Sequence, residues 1–143
     1  MYLIFCVDDQ YGLQFNHRRQ SRDSKVIEDI IDHIEGNVLL VNPYSSVLFK
    51  NYPKANTKVS EQPEVRAMHN EYCFMEQNPS QELNYTDIQG IILYHWNRKY
   101  PVDTILDPRI LNFIKNCKTA GAKEFPGSSH ENIRKEIFIN EKI

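Results

Sequence analysis

Residues 12–23, GLQFNHRRQSRD, join a run of six apolar residues, Tyr2–Val7 (YLIFCV), to a segment of helical periodicity, and this order decides the fold. The apolar run has high strand propensity and no alternation, so it predicts a strand covered on both faces of a sheet. Asp8 and Asp9 end it and are expected as a solvated strand end. Beyond residue 23, Val26, Ile27, Ile30, Ile31 and Ile34 recur at helical spacing, with Glu28, Asp29, Asp32, His33 and Glu35 on the other face and Gly36 as the C-terminal stop. A second apolar run, residues 37–42 (NVLLVN), follows. Strand, helix and strand in this order form a right-handed crossover unit with parallel strands. In such sheets ligands bind outside the carboxyl ends of the strands, so residues 8–23 and Asn42-Pro43-Tyr44-Ser45-Ser46 are expected along one edge.

That edge carries the chemistry. Arg18, Arg19 and Arg22 stand beside Ser21 and Asp23, both good N-cap types. A helix N-terminus flanked by guanidinium forks suits a phosphate or carboxylate. The expected site therefore has Arg18, Arg19 and Arg22 holding an anion, Ser21 and Asp23 ordering the helix start, and Asn42, Tyr44, Ser45, Arg98 and His130 lining the same crevice. The expected ligand is a small anion of the nucleotide type. An arginine-rich loop also serves as solvated surface or as an internal salt-bridge clasp. Tyr94, Trp96 and Tyr100 could stack on a ring, although aromatics in a late strand also build core. Residues 127–131 (GSSHE) form a hydroxyl-capped turn by their composition, in which His130 is a usable acid or base. No Gly-x-Ser-x-Gly elbow accompanies Ser128 or Ser129. Cys6 reads as a small buried apolar residue.

Further along, residues 44–49 predict a short helix with Val47, Leu48 and Phe49 turned inward, and residues 51–63 an irregular surface segment that could dock a protein partner. Residues 64–69 allow one helical turn. Tyr72–Met75 (YCFM) and residues 88–96 predict strands, and residues 103–108 a short extended piece. Residues 111–118 and Ile133–Ile139 show partial alternation and are expected as an antiparallel hairpin finishing the sheet.

At 143 residues the chain is expected to be a single α/β domain that buries roughly 70% of the surface its unfolded form exposes. A net charge of −2 and a pI near 6.2 leave no global positive field for nonspecific nucleic-acid binding. Cys6, Cys73 and Cys117 are odd in number and widely spaced, the usage of a reduced compartment, so a cytoplasmic location is expected. No apolar stretch approaches the roughly 20 residues of a membrane-spanning helix. The oligomeric state is left open.

This order of elements resembles the dihydrofolate reductase fold, an α/β sheet whose first strand leads through a substrate loop into a helix and whose chain closes in an antiparallel hairpin. Residues 12–16 and Asn42-Pro43-Tyr44-Ser45 are similar to segments that help those reductases hold their cofactor, and Asp103-Thr104 with Pro108 is similar to their acidic-Thr segment. The resemblance implies an NADPH-dependent reductase with a catalytic carboxylate early in the first helix. Gln20 stands near that place, and Asp23 would serve from a shifted register. Residues 72–77 (YCFMEQ) stand where those enzymes carry a Gly-Gly pair. The segments RRQSRD, YHWNRKY (94–100) and GSSHE resemble small bacterial proteins sometimes labelled ribonuclease Z. The dense His-x-His-x-Asp-His metal cluster of that nuclease family is not in the sequence, because His17, His33, His69, His95 and His130 are scattered.

Overall fold

The computed structural model describes residues 1–142. Strand β1 (Tyr2–Val7) runs up the middle of a seven-stranded sheet and pairs in parallel with β6 (Tyr72–Met75) on one side and β7 (Gly90–His95) on the other. Outward from β6 lie β4 (Leu39–Val41) and β5 (Thr57–Val59), both parallel; outward from β7 lie β10 (Ile133–Ile139) and β9 (Lys118–Phe125), each antiparallel to its neighbour. A small sheet of β2 (Gly12–Phe15), β3 (Arg18–Arg19) and β8 (Thr104–Ile105) stands at the carboxyl end of β1.

Alternation along β1 divides the core. Leu3, Phe5 and Val7 face a cluster with Leu40, Met75, Ile91, Leu93 and Ile110, while Ile4 faces one with Val26, Ile27, Ile30, Ile34, Phe74, Ile92 and Trp96. Helix α1 (Ser24–Ile34) covers the second face through the residues its periodicity marked, four of them buried. Each such side chain contributes about 2 kcal/mol of burial free energy, more than the helix could gain from propensity alone. Its C-cap is Glu35 in the left-handed region, φ 48°, with Gly36 following at φ 82°, so the stop comes one residue earlier than the glycine suggested.

Four expectations are corrected. The segment 111–118 is not a strand: α4 (Pro108–Lys115) occupies it, capped by Asp107, whose Oδ1 accepts from Arg109 N at 2.8 Å, with Pro108 at the first helical position. Ile110, Leu111, Phe113 and Ile114 then fall on the face toward the first core cluster, and the strand that pairs with β10 is Lys118–Phe125. The segment 51–63 contains the edge strand β5, whose three residues are all exposed and so give no apolar signal. Helix α2 (Pro43–Ser46) passes into a 3-10 turn, Val47–Phe49, in which Phe49 is buried but Val47 is 57% exposed. Asp8 is no solvated end: it is buried, and its carboxylate accepts from Gly12 N (2.7 Å), Gln10 N (2.9 Å) and Tyr100 N (3.1 Å), tying the two loops beyond β1 and β7 together. The one-turn helix α3 (Pro63–Arg66) completes the elements.

Candidate functional site

The loop between β1 and α1 folds first into a tight hairpin. Asn16 and His17 both have positive φ (55° and 60°), the conformation of a two-residue connection whose twist matches that of the flanking strands, and Phe15 then pairs with Arg18. The hairpin sends the two adjacent arginines in different directions. Arg18 stays exposed. Arg19 turns inward, donating from Nε to Glu76 Oε2 (2.8 Å) and from Nη2 to Glu76 Oε1 (2.9 Å) and to the Tyr44 carbonyl (3.2 Å), with its guanidinium 4.3 Å from the centre of the Tyr44 ring. Glu76 also accepts from Ser45 Oγ at 2.7 Å. The Glu76 hydrogen bonds raise the Arg19 pKa against the opposing effect of burial. Arg19 is therefore the clasp that the sequence left as an alternative, and its charge is neutralised inside the fold. Asn42 caps α2, its Oδ1 accepting from Ser45 N at 2.7 Å, and Tyr44 OH accepts from Arg19 N at 3.0 Å. Asn42, Tyr44, Ser45 and Arg19 thus gather around Glu76, a residue no motif marked.

A second cluster forms where the turn 127–131 meets the start of α1. Asp23 is the helix N-cap as its type predicts, Oδ1 accepting from Lys25 N at 2.9 Å. The same carboxylate accepts from Ser128 N (2.9 Å) and Oγ (3.0 Å), from Ser129 N (2.9 Å), and from His130 Nδ1 (2.9 Å). Burial alone would raise the Asp23 pKa; the Ser128 backbone N–H, the His130 ring and the Ser129 and Lys25 backbone N–H groups outweigh it and hold the carboxyl far below the usual range. The close approach depends on Gly127, where a Cβ would overlap Asp23 Oδ2. Since an ionised carboxylate only accepts, Nδ1 of His130 carries a proton and, in the neutral ring, Nε2 is the basic nitrogen. That nitrogen lies 2.9 Å from Ser21 Oγ and 2.9 Å from Tyr100 OH, and Tyr100 OH stands 3.3 Å from Ser21 Oγ. The indole of Trp96 stacks on the imidazole, centroids 4.6 Å apart and planes 20° from parallel.

Two spaces adjoin these groups. An open cleft of about 540 Å³ is lined by Phe15, Asn16, Arg18, Arg19, Gln20, Tyr100 and Pro101. A small inner cavity of about 20 Å³ is bordered by Ser21, Arg22, Asp23, Cys6, Phe74 and Trp96, among others. Burial pushes the Cys6 thiol well above its ordinary pKa, and Glu76 and Asp23 add to the shift, so Cys6 stays a protonated, unreactive thiol there. Arg22 is exposed at the rim, and Arg98, its guanidinium 5.6 Å from the Tyr100 ring centre, faces a separate depression with Asn97, Ser129 and Glu131. Arg98 therefore does not line one crevice with Asn42. Ser21 does not cap α1; it is half-buried and bonded to His130. Tyr94 and Trp96 are core, 0% and 4% exposed. Among the described residues no group of three or more His, Cys, Asp or Glu side chains is placed to hold a metal ion, and no helix is long and apolar enough to cross a membrane.

No protein-family model and no curated protein matches the sequence, so neither comparison supports the ribonuclease Z label. Among solved structures the chain is similar to dihydrofolate reductase from Enterococcus faecalis, determined in complex with NADP(H) and RAB-propyl, with a TM-score of 0.62 at 9% identity over 99% of this chain and 96% of that one. At that identity the likeness is one of architecture, and the architecture is a dihydrofolate-reductase-like α/β fold.

Proposed function

We propose that the chain binds a small anionic ligand of the nucleotide type in the open cleft between the β2–β3 hairpin and Tyr100. The supporting observation is Arg18: exposed, without an ion-pair partner among the described residues, and fixed by a tight hairpin beside the rings of Phe15 and Tyr100. A cation, two aromatic rings and the amide of Asn16 in one cleft suit a charged group attached to a flat ring. Arg22, also unpaired among the described residues, adds a second positive charge near the rim of the inner cavity, while Arg19 supplies none because Glu76 cancels it.

The fold neighbour was solved with NADP(H), which raises a reductase reading with Asp23 as the acid. The residues here fit a dinucleotide poorly. Where β4 ends, the start of α2 is closed by Asn42, Pro43 offers no N–H, and Glu76 puts a carboxylate against the same turn, where a pyrophosphate would be repelled. Asp23 is held ionised and has no proton to give.

Thermal melts of the wild-type chain and Arg18→Ala with ADP, cyclic AMP, folate and NADPH test the proposal. A ligand present at about one hundred times its dissociation constant stabilises the native state by about 2.7 kcal/mol. The expected result is a shift with a nucleotide that Arg18→Ala removes. No shift with any of the four on folded protein, or a shift insensitive to Arg18, rejects the cleft as the site.

A further inference from the structure

The cluster at the start of α1 holds more than a binding cleft needs. Asp23, His130 and Ser21 are joined in sequence by two 2.9 Å contacts, Oδ2 to Nδ1 and Nε2 to Oγ, an order in which the carboxylate fixes the ring and the ring faces the Ser21 hydroxyl, with Tyr100 OH, also 2.9 Å from Nε2, donating to Ser21 Oγ at 3.3 Å. Ser128 and Ser129 do not compete for the nucleophile's place, because Ser128 Oγ donates to Asp23 Oδ1 at 3.0 Å and Ser129 Oγ to the Arg22 carbonyl at 2.8 Å. The imidazole is clamped by Trp96, so its orientation is set before any ligand arrives. A second observation points to something bound beside Ser21. Trp96 Nε1 and Gln20 Oε1 are buried polar atoms with no partner among the described residues, and both residues border the inner cavity that Ser21 lines. A buried N–H without an acceptor carries a desolvation cost that an incoming oxygen would relieve.

We propose that Ser21 is the nucleophile of a Ser-His-Asp centre that cleaves short acyl esters. Ser21 Oγ forms a bond to the carbonyl carbon as its proton passes to His130 Nε2, and the carbonyl electron pair moves onto oxygen, toward Trp96 Nε1. Collapse breaks the carbon–oxygen bond to the leaving alcohol, which takes the proton from His130. Water then attacks the acyl-serine with His130 as base, releasing the carboxylic acid and restoring the Ser21 hydroxyl. The balance is ester plus water to acid plus alcohol. The inner cavity, about 20 Å³, admits a carbonyl oxygen or a methyl group and little more, so the acyl group is acetyl-sized. The alcohol portion would extend past Tyr100 into the open cleft.

The test is active-site labelling of the folded full-length chain with an uncharged alkyl fluorophosphonate, in which Ser21 Oγ displaces fluoride from phosphorus, read by intact mass and peptide mapping. The expected result is a single adduct on Ser21, absent from heat-denatured protein and from Ser21→Ala. Hydrolysis of p-nitrophenyl acetate should fall at least 100-fold in Ser21→Ala, and p-nitrophenyl octanoate should turn over at least tenfold more slowly than the acetate on the wild type. No adduct on folded wild-type protein, an adduct on another residue, or acetate hydrolysis unchanged in Ser21→Ala would overturn the proposal. None of the three probes carries a charge, so this outcome is independent of whether Arg18 binds a nucleotide.

Discussion

Asp23 and His130, 107 positions apart in the chain, meet at 2.9 Å with their side chains 0% and 1% exposed. The contact fastens the turn before β10 onto the first turn of α1, so one carboxylate serves both as helix cap and as partner to a buried imidazole.

Removing that carboxylate leaves the Ser128 and Ser129 N–H groups, the imidazole and the helix start without an acceptor. Asp23→Ala is expected to cost about 3–5 kcal/mol, the sum of several buried donors left without an acceptor and of lost capping. Asp23→Asn, which can still cap, should cost less. Urea denaturation of both variants gives the numbers, and an Ala variant within 1 kcal/mol of wild type would refute the linkage of cap and clamp.

The depressed pKa of Asp23 makes a signed prediction. The unfolded chain takes up this proton near the ordinary value of 3.8, whereas the folded chain resists until far lower pH. Stability from Asp23 is therefore fully present above about pH 5 and drains away as pH falls below about 4 toward the folded pKa. Asp29 and Asp107 are depressed as well, so the acid slope has several sources. The difference between wild type and Asp23→Asn isolates this one: it should shrink steadily from pH 5 to pH 2, and a constant difference would contradict the assignment.

Adjacent arginines should behave oppositely. Arg19→Ala strips the bidentate partner from Glu76, whose side chain is 9% exposed, and is expected to cost about 2–3 kcal/mol, below the full buried-pair range because Arg19 itself is partly exposed. Arg18→Ala, on the surface, should change stability by less than about 0.5 kcal/mol. A double-mutant cycle of Arg19→Ala with Glu76→Gln should show coupling above about 1 kcal/mol.

Gly127→Ala tests the packing around the clamp. Its Cβ would overlap Asp23 Oδ2 and sit 2.9 Å from the His130 carbonyl, both held by surrounding hydrogen bonds. Overpacking of this kind costs about 1–3 kcal/mol. Trp96 is the chain's one tryptophan and stacks on His130, so its emission reports the displacement directly. A variant with unchanged melting and emission would show that the turn gives way freely.

The parts legible in the sequence were those whose signal is local. The β1 run, the α1 periodicity and the type of Asp23 led to the crossover unit and its cap because apolar spacing and capping chemistry act within a few residues. Helix α4 was missed because Leu111, Phe113 and Cys117 suggest alternation, while the Asp107-Pro108 start signal that decides the matter lies just upstream. Strand β5 gave nothing to read, since an exposed edge needs no apolar residues. Within the site, the sequence shows the arginines but does not sort them: Glu76 distinguishes Arg19 from Arg18, and a carboxylate so distant in the chain leaves no local trace. In the sequence Tyr100 reads as an aromatic ring, whereas its hydroxyl is what places it at His130.

The position of β1 also governs how the molecule comes together. Tyr2 pairs with Tyr72 on one side and Gly90 on the other, so β1, made before either partner, waits for both neighbours, and contacts of such separation slow folding. During synthesis at about 5–20 residues per second, α1 emerges long before His130 does. Asp23 has no imidazole partner throughout that interval, and any chemistry at Ser21 switches on only after the β9–β10 hairpin has docked.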